Sequence, residues 1–345
     1  MGAEPTFRVA VDAMGSDNHP GPEVLGVVQA LKQYPGTQAI LVGNRKVIEQ
    51  HLQEVPAAGL PLEIVHTDEY IGMCEHPVMA IRKKKNNSMR LAMNLIKEGR
   101  ADGFVTAGNT GAGMTLAKLV FGTCRGVDRP ALATVVPSIK GTTIIVDVGA
   151  NVDCKPLHLE QFAIMGHVYA KIIFGIEKPR VALLSIGEEE IKGNDLIKEV
   201  HQALKHSQLN FVGNIEGRDV YVGDVDVVVC DGFVGNVALK ISEGVIAAIM
   251  HLLKQELARG LPTQVGALLT KPAFRKLKKK IDYSEYGGAP LLGVRSPVII
   301  GHGRSNANAI KNAIRVVREF HLQQMSSKIE QEIELFMQQN RQCEV

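Results

Sequence analysis

The sequence predicts an α/β fold in which a largely parallel sheet is covered by helices on both faces. Short runs rich in β-branched residues alternate with helical patterns along most of the 345 residues. These runs are continuously apolar instead of alternating with polar residues, which is typical of strands buried on both faces. Helical connections between successive strands favour parallel pairing.

The strand runs come in chain order, and nearly all end in glycine or a polar turn before a helical pattern. They are FRVAVDAMG, QAILVG, LEIVHT, ADGFVTAG, TTIIVDVG, RVALLSIG, LNFVGNI, VDVVVCDG and, near the end, PVII. From Asn306 onward the pattern predicts a helical tail. We interpret residues 1–345 as one large α/β unit, from whose strand and helix rhythm the basic stretch Gly260–Lys280, punctuated by proline and glycine, stands out as an excursion.

Composition excludes several classes of protein. Lys+Arg 39 against Asp+Glu 36 gives a net charge of +3, and aromatic residues make up 5% with no Trp, so no nucleic-acid partner is expected. No apolar run approaches the ~20 residues that a membrane-spanning helix needs. The N-terminus lacks a signal-peptide pattern, and the five scattered cysteines indicate reduced thiols, so we expect a cytoplasmic protein.

The first candidate site is the glycine-rich turn after the strand GFV. Gly108, Asn109, Thr110 and Gly111 would let backbone N–H groups face an anion at the start of the next helix. The pattern is neither GxGxxG nor a P-loop. A tight turn between strand and helix is the alternative interpretation.

A second exit loop, Asp147–Pro156, holds Asn151 and Lys155. Its two carboxylates, Asp147 and Asp153, suggest either a divalent cation or bonds to backbone and helix cap; the metal is the weaker interpretation.

Two further exit loops each hold one candidate residue. Lys192, between a glutamate run and Gly-Asn, is either an anion contact or part of a solvated loop. Asn236 is either part of an anion cradle or a helix N-cap. His302, in GHGRSN, is either an acid/base group or structural.

The sequence offers no activated nucleophile of a known kind. It has no GxSxG elbow, no HExxH and no cysteine with an evident histidine partner. Such a site suits a substrate that brings its own nucleophile, such as inorganic phosphate, and acts by positioning and by stabilising an oxyanion. We predict neither a metal nor a cofactor.

A basic, apolar segment follows. Its cations are Lys271, Arg275, Lys276, Lys278, Lys279 and Lys280. A basic amphipathic helix of this kind lies on an anionic membrane surface, packs in a dimer, or binds an acidic protein. A second basic run, Arg82–Lys85, is suited to phosphate groups or to an acidic partner.

Taken together, these loops resemble the bacterial acyl-carrier-protein–phosphate acyltransferases of phospholipid synthesis, the PlsX family. The matching stretches are VAVDAMGSD, IRKKKNNSM, TAGNTGA, GVDRPALA, DVGANVDCKP, EEIKGND, VCDGFVGNVALK and YSEYGGAPLLG. The resemblance implies a homodimer with a fold similar to isocitrate/isopropylmalate dehydrogenases and phosphotransacetylases. It implies transfer of an acyl group from acyl carrier protein to inorganic phosphate, with the acyl phosphate passed to a membrane glycerol-phosphate acyltransferase. It also implies that 237–282 is a protruding amphipathic helical region for membrane or dimer contact, and it favours peripheral membrane association through this region.

The resemblance also implies roles for individual residues. Lys192 would neutralise phosphate or the oxyanion, and Asn236 would orient the carbonyl or phosphate. The turn at 108–111 would cradle the anion, with Asn151 and Lys155 nearby. The sequence departs from the family's usual residues at Ser16, Cys154, Cys230 and Val234. Because the family usually has other residues at 154 and 230, a cysteine nucleophile is doubtful.

Two other functions remain open on the residues alone. One is a metal- and nicotinamide-dependent decarboxylating dehydrogenase of the same fold. The other is a non-enzymatic scaffold that binds acidic carrier protein or membrane through its basic surfaces.

Overall fold

A computed structural model describes residues 7–343 of the chain. Within this range the side chains at positions 261, 278, 283 and 339–343 lie outside the described part. The predicted membrane contact Lys278 is one of these, so its side chain is not discussed further.

The described residues form one sheet of eleven strands. The strands are β1 (Phe7–Asp12), β2 (Thr37–Gly43), β3 (Leu62–His66), β4 (Gly103–Thr106), β5 (Ala131–Ser138), β6 (Gly141–Val146), β7 (Val181–Leu184), β8 (Phe211–Ile215), β9 (Val227–Val229), β10 (Ala289–Leu292) and β11 (Val298–Ile300). Their order across the sheet is β3-β2-β1-β4-β11-β10-β5-β6-β9-β7-β8.

The sheet consists of two parallel halves that run in opposite directions. Strands β3, β2, β1, β4 and β11 are mutually parallel, as are β6, β9, β7 and β8. Between them β10 and β5 pair antiparallel with each other and with their outer neighbours. Three successive reversals therefore point the strand ends of the two halves toward opposite edges of the sheet.

Helices connect the strands and cover the sheet. They are α1 (Gly21–Gln33), α2 (Arg45–Gln53), α3 (Pro77–Lys83), α4 (Ser88–Lys97), α5 (Thr110–Phe121), α6 (Pro156–Phe174), α7 (Asp195–Lys205), α8 (Gly232–Ala258), α9 (Leu261–Ile281), α10 (Ala307–Leu322) and α11 (Met325–Cys343).

Two apolar clusters, one on each face, form the core. The alternating residues Val9 and Val11 of β1 pack into the cluster that includes α1, α6, α10 and α11. Ala10 packs into the other cluster, with α4 and α5. Both faces of the central strands are therefore buried, as the continuous apolar runs predict. The predicted fold class, a largely parallel sheet covered on both sides, is confirmed.

Sequence patterns missed two strands, and both are central. β5 (ALATVVPS) and β10 (APLL) pair antiparallel and each contains a proline. Proline has no N–H to donate and lowers the strand signal of a short run. These are the two strands that reverse the direction of the sheet.

Helices α8 and α9 form a hairpin that leaves the body of the protein. Among the described residues of α8 only Gly232 and Gly235 are buried, and no described residue of α9 is buried. Within residues 7–343, α8 is the one helix long and apolar enough to cross a bilayer by length and composition, with a mean hydropathy of 1.5. The continuous apolar runs of the sequence did not single out α8, because its apolar residues are interrupted by Lys240 and Glu243.

Candidate active site

A cavity of about 430 Å³ lies between the start of α5 and the first turns of α8. Leu132 and Thr134 of β5 and the end of β11 also line it. Loops from both edges of the sheet reach it, because the reversed strands lie at its centre. Among the residues predicted from the sequence, Thr110, Gly111 and Asn236 line this cavity.

The β4 exit loop is held rigidly behind the cavity. The Thr106 hydroxyl donates to the buried Asp12 carboxylate at 2.8 Å and accepts from the N–H of Gly108 at 3.0 Å. Burial raises the pKa of Asp12. A Cβ on Gly108 would lie 2.4 Å from the Met89 Cε atom and 3.1 Å from the Gly15 Cα atom, so a side chain here would displace the end of Met89 and press on the β1 exit loop.

Asn109 stabilises the tight turn between β4 and α5, which was the alternative interpretation of this loop. Its side-chain oxygen accepts the N–H of Ala112 at 3.0 Å and so caps α5. Its amide nitrogen donates to the carbonyls of Met73 and Glu75 at 3.1 and 3.0 Å. Asn109 therefore fixes the loop before α3 against the start of α5, whose first N–H groups have no acceptor within the helix.

The β6 exit loop is organised by one buried carboxylate. Asp147 accepts N–H groups from Leu132, Ala150 and Asn151 at 2.9, 3.0 and 2.7 Å, and burial raises its pKa. The Asn151 amide donates to Asp147 and to the Pro130 carbonyl. Both side chains are occupied in bracing the loop, which places Gly149 on the cavity wall.

Asn236 is not the N-cap of α8. That position belongs to Asp231, whose carboxylate accepts the N–H of Val234 at 2.9 Å. Asn236 lies in the second turn, beside Gly149, where an added Cβ would be 3.7 Å from the Asn236 Cγ atom. Within the described residues its side-chain amide forms no hydrogen bond, so the amide is available to a ligand in the cavity.

Lys192 and Lys155 do not line this cavity. Lys192 lies on the exposed β7 exit loop, and Lys155 is the exposed residue before α6. The β7 exit instead borders a second depression of about 420 Å³, where Asn194 and Asp231 lie. The assignment of Lys192 and Lys155 to the site stays a prediction.

The cavity contains charged residues that sequence reasoning did not place there. Lys240 and Glu243 follow Asn236 on the same face of α8, and their side chains form an ion pair at 2.8 Å. The spacing of four and seven residues from Asn236 is the signal that would have found them. His302, for which the sequence left an acid/base role and a structural role open, also lines the cavity.

The imidazole of His302 has a defined tautomer when neutral. Its Nδ1 atom accepts the N–H of Arg304 at 3.1 Å, so the proton lies on Nε2. Burial, followed by the positive charge of Lys240, lowers the pKa of His302. The ring therefore favours its neutral form beside the cavity.

The cysteines near the site are not activated. Burial raises the pKa of Cys154 to about 11, and it raises that of Cys230 as well. Both thiols remain protonated near neutral pH, where they are poor nucleophiles. Among the described residues no group of three or more His, Cys, Asp or Glu side chains is arranged to hold a metal ion.

The predicted membrane contacts lie on the hairpin. Lys271 and Arg275 border an apolar groove of about 1190 Å³ between α8 and α9, with Phe274. Lys276, Lys279 and Lys280 are exposed on α9. Their assignment as membrane or carrier-protein contacts stays a prediction.

Comparison with known proteins settles the family. Residues 7–328 match the family described as Fatty acid synthesis protein. The chain belongs to this family. It is 51% identical over 323 residues to Phosphate acyltransferase of Acidobacterium capsulatum, covering 93% of this chain and 96% of the relative. It is 49% identical over 337 residues to Phosphate acyltransferase of Geotalea uraniireducens, covering 96% and 97%.

Solved structures show that this family member shares a wider fold. A phosphotransacetylase from Streptococcus pyogenes superposes with a TM-score of 0.56 at 17% identity, covering 95% of this chain and 94% of the other. EutD phosphotransacetylase from Staphylococcus aureus gives 0.56 at 16%, covering 94% of each. At this identity the likeness shows the fold alone.

Proposed function

We propose that this chain is a phosphate acyltransferase that moves a fatty acyl group from the thioester of acyl carrier protein to inorganic phosphate. Family membership and two relatives of that name, each matching more than 90% of the chain, support the activity. The observation that carries the location is the pairing of Asn236 and Lys240 on one face of α8, opposite the start of α5 across a cavity of about 430 Å³.

The reaction needs no protein nucleophile. A phosphate oxygen attacks the thioester carbonyl carbon, the C–O bond forms, and the carbonyl electrons move to oxygen. The tetrahedral intermediate collapses, the C–S bond breaks, and the carrier leaves as a thiolate that takes a proton from water. Positioning and oxyanion stabilisation are the catalytic contributions. The raised pKa values of Cys154 and Cys230 are consistent with the absence of an acyl-cysteine intermediate.

Five of the residues that line the cavity have roles in this scheme. The N–H groups of Thr110 and Gly111 and the ammonium of Lys240 hold phosphate, since helix N-termini and cations favour anions. The Asn236 amide and the Nε2–H of His302 donate toward phosphate or the oxyanion. The family resemblance implies that Lys192 neutralises the phosphate or the oxyanion, but Lys192 does not line the cavity. Lys192→Ala is therefore to be compared directly with Lys240→Ala.

The same proposal places the enzyme in the cytoplasm, as a homodimer associated peripherally with an anionic membrane. The hairpin supports this, because Leu268 and Leu269 of α9 are 68% and 75% exposed beside Lys271 and Arg275. Apolar side chains next to cations suit the boundary between headgroups and acyl chains. A membrane glycerol-phosphate acyltransferase would then receive the acyl phosphate where it is made.

The activity is tested with purified protein, palmitoyl-acyl carrier protein and inorganic phosphate. We expect release of the carrier thiol in the absence of hydroxylamine and, in a separate reaction with hydroxylamine, formation of a hydroxamate from the acyl phosphate above the rate without enzyme, at which hydroxylamine cleaves the thioester itself. Both signals should require phosphate. Thiol release that does not depend on phosphate, or no release, contradicts the proposal.

A further inference from the structure

The outward face of α3 combines exposed apolar side chains with a fixed backbone. Ala80 and Ile81 are buried and attach the helix to the body. Val78 and Met79 point the other way and are 42% and 63% exposed. An unbranched, adaptable side chain such as methionine at the surface is typical of protein-binding sites.

Cations lie directly beside these two residues. Arg82 and Lys83 follow Val78 and Met79 by four positions, so each cation neighbours an apolar side chain on the helix. Arg82, Lys83 and the adjacent Lys85 are exposed, and none forms an ion pair within the described part of the chain. Their charges are therefore available to a partner.

Lys84, in the same run, shows the contrast. Its ammonium binds the Glu75 carboxylate and the Tyr70 carbonyl, and this contact lowers the pKa of Glu75. The run thus uses one cation to hold its own loop and presents the other three to solvent.

This face is attached to the rim of the cavity. A Cβ on Gly111, which lines the cavity, would lie 2.8 Å from the Pro77 Cγ atom at the start of α3. Asn109 holds the preceding loop through the Met73 and Glu75 carbonyls. A macromolecule bound along α3, a helix about 10 Å long, therefore lies close to the residues that line the cavity.

We propose that the α3 surface, formed by Val78, Met79, Arg82, Lys83 and Lys85, is the docking surface for the acidic protein that presents the acyl thioester. This inference rests on the proposed function. Exposed apolar side chains bordered by unpaired cations match an acidic surface with an apolar patch of its own. A free phosphate ion would make no favourable contact with the apolar side chains of Val78 and Met79. A membrane would find a longer exposed apolar surface on the α8–α9 hairpin.

The test is the double substitution Arg82→Glu with Lys83→Glu in the full chain. The matched control is Lys97→Glu with Lys178→Glu, two exposed cations that precede strands β4 and β7 at their amino ends. Rates are measured with palmitoyl-acyl carrier protein and, separately, with palmitoyl-pantetheine, which lacks the protein. We expect the KM for the carrier to rise at least about tenfold in the α3 variant alone, with the pantetheine rate unchanged.

Other results separate the explanations. An equal KM for the carrier in the α3 variant and in the control variant overturns the docking surface. An equal loss of rate with palmitoyl-acyl carrier protein and with palmitoyl-pantetheine also overturns it, because the effect would then lie in the cavity. Loss of binding to anionic vesicles with an unchanged carrier KM assigns the surface to membrane and also overturns it. If the parent turns over neither donor, the proposed function fails, whereas calorimetric titration of the carrier into parent and variant still tests the surface.

Discussion

Gly235 lies so close to the Asp147 carbonyl that a Cβ on Gly235 would be 1.9 Å from that oxygen. The first turn of α8 therefore packs directly on the β6 exit loop, which Asp147 organises through buried hydrogen bonds. The next residue, Asn236, is set beside Gly149 by this contact. The position of the candidate catalytic amide thus depends on the absence of a side chain at the preceding residue.

Gly235→Ala tests this packing. The added methyl must displace α8 or the β6 exit loop, and overpacking of this kind costs about 1–3 kcal/mol. A shift of Asn236 by a fraction of an ångström should lower kcat at least about tenfold. Thermal unfolding and steady-state kinetics measure the two effects.

Gly244→Ala is the matched control on the same helix. A Cβ at Gly244 meets nothing within 4 Å, so we expect unchanged kinetics and a stability gain of about 0.5–1 kcal/mol. Equal behaviour of the two variants would show that the contact between Gly235 and Asp147 does not position Asn236.

Lys240→Ala tests the cation of the cavity. Loss of one charged contact to the developing oxyanion or phosphate should lower kcat/KM about 100-fold. Burial is the main cause of the lowered pKa of His302, and the charge of Lys240 is the next. Removing that charge should therefore raise the pKa of His302, which NMR of the imidazole measures. Lys254→Ala, farther along α8 and outside the cavity, should change neither quantity. A larger loss of kcat/KM in Lys192→Ala than in Lys240→Ala would indicate that Lys192, and not Lys240, is the principal cation for phosphate or the oxyanion.

Glu23→Gln tests a buried acid behind the β1 exit. Glu23 is fully buried and accepts the N–H of Ser16 at 3.0 Å, and burial raises its pKa from 4.5 to about 7. Between these values the native protein binds a proton that the unfolded chain releases, so the free energy of unfolding falls as pH rises. The stability of the variant relative to the parent should therefore increase by about 3 kcal/mol from pH 4.5 to above pH 7.

Urea unfolding at several pH values measures this difference. The exposed Glu98→Gln serves as the control and should follow the parent throughout. A constant gap between parent and Glu23→Gln across the range would contradict the assigned cause.

Lys279→Glu with Lys280→Glu tests the hairpin. Each cation near an anionic surface contributes about 1 kcal/mol, so reversing two should weaken binding to anionic vesicles at least about tenfold. Binding should also fall with added salt. Cosedimentation with vesicles measures it, with Lys97→Glu and Lys178→Glu as the charge-matched control. Undiminished binding would assign the hairpin surface to something other than membrane.

The sequence predicted most of the local structure. Runs such as VALL and TTIIV, with glycine after them, predicted buried strands and their exits, because periodicity and turn preference are properties of neighbouring residues. The turn at Gly108 and the family resemblance were also readable from the sequence. The short strands with Pro137 and Pro290 were not, since their signal is weak and their pairing is long-range.

By itself the sequence determined the fold class, the family and the residue types available for anion binding. Only the tertiary structure decided which of them share a cavity. Strands β10 and β5 reverse the sheet through contacts between residues far apart in the chain, such as Leu132 with Leu291. In the folded chain Asn236 and Lys240 line a cavity with Thr110, and Lys192 does not. Strand direction is set by pairing between distant segments, which no local pattern records.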